Sequence, residues 1–146
     1  MDTVDKAKRS EVMRAVKSKD TGAEMSVRRM LHGAGFRYRL HRKELPGKPD
    51  MVFVSRRKVV FIHGCFWHQH PNCEAAKRPK SNLDYWNAKL NSNLERDIKS
   101  LAALEEQGWK AFIVWECRLR DRALLLAELK AFLHEGETKI LETVER

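Results

Sequence analysis

The sequence predicts a single α/β domain in which helices pack on a mixed β-sheet, with the element order ααβββαβα. Three observations support this fold class. A helix with a capping motif precedes three β-like segments, a long amphipathic helix leads to a fourth strand, and a Leu- and Ala-rich helix follows that strand. With 146 residues the chain is long enough for one domain with a real core and too short for two of ordinary size.

The N-terminal third contains two predicted helices and one predicted strand. Residues 4–18 are charged and carry apolar residues at helical spacing, which predicts a thin amphipathic helix that we expect to order against a partner. Thr21 and Glu24 have the positions of a capping box, ahead of a second helix that ends near Gly33 or Gly35. Residues 36–41 alternate apolar and basic side chains, as a half-buried strand with a cationic outer face does.

A β-hairpin is predicted around the basic turn 55–58, because apolar runs flank that turn on both sides. With Val54 opposite Val59, the register places Asp50 opposite His63 at the open end of the hairpin. Directly opposed Cβ atoms lie roughly 4.5 to 5.5 Å apart. The hairpin therefore predicts that a carboxylate, an imidazole and the carbonyl group of Ile62 meet at one edge of the sheet.

The C-terminal half predicts a helix, a strand and a final helix. A basic loop at 77–82 leads into a long helix that starts at about Leu83 and ends at Gln107, before Gly108. Residues 109–117 are strongly β-like, and residues 121–134 form the last helix. Two stripes run along the long helix: a core stripe of Leu83, Leu90, Leu94, Ile98 and Leu101, and beside it Trp86, Lys89, Asn93 and Asp97.

The net charge favours a polyanionic partner. Lys and Arg number 29 against 20 Asp and Glu, which gives a formal charge of +9. Basic side chains that neutralise phosphates release condensed counterions, so nucleic acid is the expected partner. A membrane-surface protein is the weaker alternative, because no basic amphipathic helix stands out. The sequence has no run of 18 apolar residues, and we expect a soluble cytoplasmic protein that does not contact membrane.

Four soft donors predict a closed structural zinc site. Cys65, His70 and Cys73 lie within nine residues, and Cys117 is expected at a strand end. Thiolates and imidazoles are the usual ligands of tetrahedral structural zinc, and such a site tolerates a remote fourth ligand. In a reducing compartment, thiols near histidines are more often metal ligands than disulfide partners. The alternative is that Cys117 is a buried strand-end thiol and the clustering is incidental.

Asp50 is a candidate ligand for catalytic Mg²⁺. An aspartate after a proline is usually only a turn residue, but His63, His68 and the positive charge favour a functional role. Mg²⁺ prefers hard oxygen ligands and shares its shell with substrate phosphates, so phosphodiester hydrolysis is the predicted chemistry. Glu24 is equally well explained as a helix cap or as a metal-site residue.

Phe66 and Trp67 are candidates for direct contact with DNA. Two large aromatic side chains inside a Cys/His segment have little core to enter, and such side chains can wedge between base pairs. Trp86 is more often a core residue in this setting, because Leu83 and Leu90 lie beside it.

These motifs together resemble the very short patch repair endonucleases. The resemblance covers about residues 6–133 and rests on segments 46–50, 61–70, 93–97, 108–109 and 114–117, of which Gly64-Cys65-Phe66-Trp67-His68 is highly specific. It implies a restriction-endonuclease-like fold and a strand-specific nick on the 5′ side of the thymine in a T:G mismatch, the lesion left when 5-methylcytosine deaminates.

The resemblance also implies roles for individual residues. Asp50 holds catalytic Mg²⁺ with the main-chain carbonyl of Ile62, His68 oriented by Asp97 activates water, His63 assists at the scissile phosphate, and Glu24 holds metal-bound water. Phe66, Trp67 and Trp86 intercalate from the major groove, Met13 approaches from the minor groove, and Lys89 with Asn93 reads the wobble pair.

The same resemblance implies how the chain is organised and where it acts. The whole chain would form one nuclease domain, with residues 1–20 as a DNA-contacting arm and residues 137–146 as a tail. We expect a monomer associated with the bacterial nucleoid, which cooperates with mismatch-repair proteins and a repair polymerase.

The sequence departs from the family pattern at Ile62, where a Thr is usual, and between His70 and Cys73, where the spacing is one residue longer. The usual second acid and lysine of the wider fold are absent, so catalysis depends on imidazole. Two other classes remain open. A non-catalytic zinc-containing DNA-binding module would give Asp50 no reason to face His63, and a restriction-type nuclease that cuts both strands usually needs a dimer.

Overall fold

The computed structural model describes residues 22–136 and contains a four-stranded mixed sheet flanked by three α-helices. The predicted element order is confirmed from the second predicted helix onward. The predicted helix at 4–18, with Met13, and the tail 137–146 lie outside the described residues. In chain order the elements are α1 (Gly22–Gly33), β1 (Arg39–Leu40), β2 (Met51–Phe53), β3 (Lys58–His63), α2 (Leu83–Glu106), β4 (Lys110–Trp115) and α3 (Arg122–His134).

The sheet has the strand order β1-β2-β3-β4. The first two pairs are antiparallel, and β3 pairs with β4 in parallel, from Lys58 opposite Lys110 to His63 opposite Trp115. A parallel pair needs a long crossover connection, which here contains α2. Because the two strands run in the same direction, their last residues, His63 and Trp115, lie at the same end of the sheet.

The register of the β2–β3 hairpin differs from the predicted one. Val52, and not Val54, lies opposite Val59. Val54 instead begins a 3₁₀ turn, Val54–Arg56, that ends at Arg57 in a left-handed conformation (φ 57°). The predicted pairing of Asp50 with His63 is therefore wrong by two residues. A shift of two keeps every side chain on its own face of the sheet, so the apolar pattern could not distinguish the two registers.

Apolar side chains fill both faces of the sheet. On one face α1 and α3 cover a cluster that includes Val60 and Val114, and on the other face α2 covers a cluster that includes Val59. Residues 58–61 of β3 are buried, as expected for a strand with helices on both sides. The centre of the molecule is thus a buried strand that ends at His63.

The predicted core stripe of α2 is confirmed only in part, since Leu90 is buried and Leu101 packs against an apolar cluster. Leu90, Asn93 and Leu104 are its buried residues, whereas Leu83 and Ile98 of the predicted core stripe are 53% and 67% exposed. The first half of the helix packs on the segment after β3 and not on the sheet. Asn93 shows this directly, since its Nδ2 donates to the carbonyl of Trp67 at 3.1 Å. The stripe with Asn93 and Asp97 therefore faces the candidate site.

A buried lysine closes the C-terminal end of α3. Lys58, 5% exposed, donates from Nζ to the carbonyls of Phe132 (2.6 Å), Leu133 (3.2 Å) and Glu135 (2.8 Å). The Glu135 amide also donates to the Phe132 carbonyl, and Arg56 also donates to the Leu133 carbonyl. The positive charge of Lys58 complements the negative end of the helix dipole. Lys58 thereby links the first residue of β3 to the last turn of α3.

Candidate active site

One group of titratable side chains lies where α1, β1 and β2 begin or end. Glu24 comes from the first turn of α1, His41 follows β1, and Asp50 precedes β2. One ligand atom from each residue lies within 4.8 Å of the other two. His41 donates from Nε2 to Glu24 Oε2 at 2.7 Å, and Arg28 makes an ion pair with the same carboxylate.

Asp50 is held in an environment that disfavours its charge. Burial raises the pKa of the Asp50 carboxyl to about 6, and the nearby Glu24 carboxylate contributes in the same direction. The amide of Ile62 opposes this effect, since it donates to Asp50 Oδ2 at 2.7 Å. A divalent cation would offset the repulsion between two close carboxylates, and carboxylate oxygens are ligands that Mg²⁺ accepts. The residues present therefore fit a hard-metal site.

A second group consists of His63 at the end of β3, His68 five residues later and Asp97 on α2. His68 donates from Nδ1 to Asp97 Oδ2 at 2.7 Å. The carboxylate fixes this tautomer, in which Nε2 carries the lone pair and can accept a proton. The rings of His63 and His68 are stacked, with centroids 3.7 Å apart and an interplanar angle of 7°. The His68 ring is thus held by the hydrogen bond to Asp97 in its plane and by the His63 ring against one of its faces.

His63 is a neutral imidazole at ordinary pH. Burial, followed by the nearby His68, lowers the pKa of His63 to about 4. Within residues 22–136 its Nδ1 is a buried atom without a hydrogen-bond partner. A buried polar atom of this kind is costly unless a ligand satisfies it.

The structure places the two residues that the predicted hairpin paired in different groups. Asp50 clusters with Glu24 and His41, and His63 clusters with His68 and Asp97. The two groups remain connected through β3, because Asp50 accepts a hydrogen bond from the residue that precedes His63.

His41 is the residue that the sequence analysis missed. The alternation of residues 36–41 assigned it to the cationic outer face of a strand. In the structure the strand ends at Leu40, and His41 adopts a positive φ of 47° that removes it from the alternation. Its position directly before the loop to Asp50 was the only available indication of a role in the site.

Four soft ligands meet beyond the carboxyl ends of β3 and β4. One atom each of Cys65, His70, Cys73 and Cys117 lies within 4.8 Å of the others, and Cys117 Sγ is 3.5 Å from His70 Nδ1. All three cysteines are free thiols. Tetrahedral zinc with ordinary bond lengths spaces sulfur and nitrogen ligands about 3.5 Å apart, so the donor set fits a closed zinc site. The parallel pairing of β3 with β4 explains how the remote Cys117 arrives there.

Three aromatic rings lie together beside this cluster. The ring centroids of Phe66 and Trp67 are 5.2 Å apart, those of Phe66 and Trp86 are 5.5 Å apart, and those of Trp67 and Trp86 are 6.0 Å apart. All three side chains are only partly buried. Trp86 therefore belongs to this aromatic group and not to the core. Lys89 and Asn93 follow it along the same face of α2.

Within residues 22–136, none of the helices combines the length and the apolar character needed to cross a membrane.

Comparisons with known proteins identify the family. The family model described as DNA mismatch endonuclease Vsr matches residues 1–75. The Type II nicking enzyme V.XorIIP of Xanthomonas oryzae pv. oryzae is 48% identical over 132 residues, which cover 90% of this chain and 96% of the relative. The DNA mismatch endonuclease Vsr of Escherichia coli is 43% identical over 127 residues, which cover 87% and 81%. On these grounds the chain belongs to the Vsr family of DNA mismatch endonucleases.

Proposed function

We propose that this protein nicks DNA on the 5′ side of the thymine in a T:G mismatch and so initiates repair of deaminated 5-methylcytosine. The observation that carries the proposal is the hydrogen bond from His68 to Asp97. His68 directly follows the aromatic residue Trp67 in the sequence. A base for water activation and a group suited to unstacked bases thus occupy consecutive positions. Membership of a mismatch endonuclease family supports the same substrate class, and we propose that the mixed sheet is a restriction-endonuclease-like core.

Two residues would hold the catalytic metal. Asp50 offers a carboxylate and Ile62 its main-chain carbonyl, while Glu24 would orient the hydration water of the ion. When bound, Mg²⁺ supplies positive charge that stabilises the transition state of phosphodiester hydrolysis and the leaving 3′-oxygen. The raised pKa of Asp50 supports this assignment, because a carboxyl that is costly to ionise alone gains most from a nearby cation.

His68 would act as the general base. Asp97 accepts a hydrogen bond from Nδ1–H of His68, so Nε2 is free to take a proton from the attacking water, and the Asp97 carboxylate then stabilises the imidazolium that forms. His63 stacks beneath this ring and stays neutral, so it adds no repulsion when His68 becomes charged. The unpartnered Nδ1 of His63 would bond to the scissile phosphate or to the water that attacks it.

The aromatic group would read the lesion. Phe66, Trp67 and Trp86 would insert beside the mismatch from the major groove, and Met13 would approach from the minor groove. Lys89 and Asn93 would contact the wobble pair. The contact of Asn93 with the Trp67 carbonyl supports a joint role for these two residues. The net charge of +9 would supply the sequence-independent attraction to the duplex.

Zn²⁺ would be structural, bound by Cys65, His70, Cys73 and Cys117, and would hold the aromatic segment against the end of β4. We further propose that the protein acts as a monomer at the bacterial nucleoid, as a single nuclease domain with an N-terminal DNA-contacting arm. Mismatch-repair proteins and a repair polymerase would complete the repair.

A strand-resolved nicking assay tests the function. The purified protein is incubated with Mg²⁺ and a duplex that contains one T:G mismatch, with each strand labelled separately, beside the fully paired control. We expect one nick, in the thymine strand only, at the 5′ side of the mismatched thymine. Cleavage of both strands or of the control would instead identify a restriction-type nuclease, and binding without cleavage would identify a non-catalytic DNA-binding module.

A further inference from the structure

A set of side-chain hydrogen bonds centred on Arg78 connects the loop after the zinc ligands to α2. The Arg78 guanidinium donates from Nε to Gln69 Oε1 (2.9 Å), from one terminal nitrogen to Asn87 Oδ1 (2.7 Å) and from the other to Asn91 Oδ1 (2.9 Å). All three nitrogens of the guanidinium are therefore used. We refer to these four residues as the Arg78 bridge.

Gln69 extends the bridge to the backbone of the aromatic segment. Its Nε2 donates to the carbonyl of Phe66 at 2.8 Å and to the carbonyl of Ala76 at 2.9 Å. With Oε1 bound to Arg78, the donor and acceptor ends of this amide are both committed. The orientation of Gln69 is thus set by Arg78, and Gln69 in turn fixes the peptide that follows Phe66.

The other end of the bridge lies beside the third aromatic ring. Asn87 and Asn91 are one helical turn apart on α2, and Asn87 directly follows Trp86. The planar guanidinium can reach both amides and Gln69 at once, a geometry that the single ammonium group of lysine cannot reproduce. Arg78 therefore joins the segment that carries Phe66 and Trp67 to the helix that carries Trp86.

We propose that Arg78 is a positioning residue for mismatch selectivity, which keeps the three aromatic rings at the spacing needed to insert beside a mismatch. This proposal rests on the proposed function, in which those rings contact the lesion. The partners of Arg78 are neutral amides, so its contribution is directional and not the neutralisation of a buried acid. Loss of the bridge would free the segment from α2 on the side of Phe66 and Gln69, while the contacts of Trp67 with Asn93 and of His68 with Asp97 remain.

The test compares binding to two duplexes without added Mg²⁺, one with a single T:G mismatch and one fully paired. Arg78→Met keeps an unbranched apolar stem in place of the side chain and removes the guanidinium donors. We expect the ratio of the Kd for the paired duplex to the Kd for the T:G duplex to fall by about tenfold, because base–aromatic stacking gives most of the preference for an unstacked site. Zinc content should stay the same as in the wild type. Arg78→Lys should restore little of the ratio.

Two controls separate positioning from charge and from general stability. Lys130→Met removes the same charge from an exposed position on α3, on the opposite side of the sheet from α2, and should leave the ratio unchanged. In a Trp67→Ala background, Arg78→Met should lower the ratio less than it does in the wild type, because one of the three rings that it positions is absent. Full additivity of the two substitutions would contradict a positioning role.

The failure of this proposal is distinguishable from failure of the proposed function. A wild-type protein without preference for the T:G duplex would refute the function itself. If the wild type shows that preference, two results for Arg78→Met would overturn the role of Arg78. In the first the variant retains the preference, and in the second it loses zinc and both affinities equally. If Arg78→Met does not fold, the double variant Asn87→Ala/Asn91→Ala breaks the same bridge and must show the same loss of ratio; an unchanged ratio overturns the proposal.

Discussion

The contact of His68 with Asp97 sets the protonation chemistry of the site. A carboxylate at this position accepts only, so it holds the proton on Nδ1. Asp97→Asn preserves the shape but offers an amide that can donate to Nδ1 and select the wrong tautomer. We expect the single-turnover nicking rate on a T:G duplex to fall by about 10²-fold or more, within the range typical of a misoriented general base.

Binding of the same duplex provides the control for Asp97→Asn. Because Asp97 contacts His68 and not the aromatic rings, the Kd measured without Mg²⁺ should stay close to the wild-type value. If Asp97→Asn nicks at the wild-type rate, His68 oriented by Asp97 is not the general base.

We expect the ionised Asp50 carboxylate to lower the stability of the fold although the proposed function needs it. Its pKa of about 6 lies above the ordinary value of 3.8, so the folded protein binds this proton more tightly than the unfolded chain does. The stabilising contribution is complete below pH 4 and is lost as the pH rises through 6. At pH 7.5, without added Mg²⁺, Asp50→Asn should therefore raise the Tm, by the equivalent of about 2–3 kcal/mol.

The pH dependence of that difference is the decisive measurement. Thermal unfolding of both proteins between pH 7.5 and 5 should show the advantage of Asp50→Asn shrinking as the wild-type carboxyl becomes protonated. The same variant should not nick DNA, because the amide is a poor metal ligand. A wild type that is the more stable protein at pH 7.5 would show that Asp50 is not destabilised by its surroundings.

At the residue scale the sequence predicted most candidate residues but not their grouping. Residue types and spacing were enough to select His68 and the four soft ligands. The grouping of Asp50 with His41 depended on a hairpin register and on one positive φ angle. Neither has a unique sequence pattern, since a two-residue shift preserves the alternation and a histidine rarely indicates a left-handed backbone.

At the element scale, the helices with clear termini were predicted best. α2 and α3 begin and end within one residue of the predicted positions. Gly108, at φ 84°, follows the end of α2 as predicted, and in the structure the Asp121 side chain caps α3 by accepting from the amide of Leu124. The strand predicted at 36–41 is only Arg39–Leu40. An edge strand with both residues exposed gains little from burial, so its alternation overstates its length.

The linkage of Lys58 to α3 gives a prediction at this scale. Lys58→Met retains the apolar stem but removes three hydrogen bonds to carbonyls of the last turn. We expect a loss of about 2 kcal/mol in the free energy of unfolding, because a charged donor is removed. The carbonyls of Phe132 and Leu133 keep the Glu135 amide and Arg56 as partners, which limits the loss. Chemical denaturation measures this loss. Lys130→Met, exposed on the same helix, should change stability by no more than about 0.5 kcal/mol, and equal losses would refute the role of Lys58.

At the scale of the whole molecule, two apolar clusters stabilise the sheet, and we propose that zinc at the Cys/His cluster holds the aromatic segment. We therefore expect one zinc per chain, and we expect Cys117→Ser to lower zinc content and Tm together. Because neither apolar cluster contains Cys117, helix and strand content by circular dichroism should change little at low temperature. Selective binding of the T:G duplex should nevertheless be lost. A variant with normal zinc content and selectivity would exclude Cys117 as a ligand.

The order of elements was predictable because each has its own periodicity, but their arrangement was less so. Which face of α2 meets the protein depends on the packing of the segment after β3 against its first half, a contact between distant parts of the chain. Leu83 and Ile98 were predicted to be core residues because they are apolar, but both are exposed in the structure. Periodicity predicts that a helix is amphipathic, but its docking surface is a tertiary property.

Trp67 and His68 are consecutive residues, and this adjacency has a kinetic consequence. For an enzyme of the proposed specificity, a duplex that does not admit the indole also leaves the neighbouring imidazole out of line with the phosphate. Undamaged DNA is then rejected first by weak association and again by slow turnover. The two penalties multiply, so a low-affinity encounter with ordinary sequence carries little risk of a break. The same coupling limits redesign, because changing the indole to accept another lesion would also slow the cut.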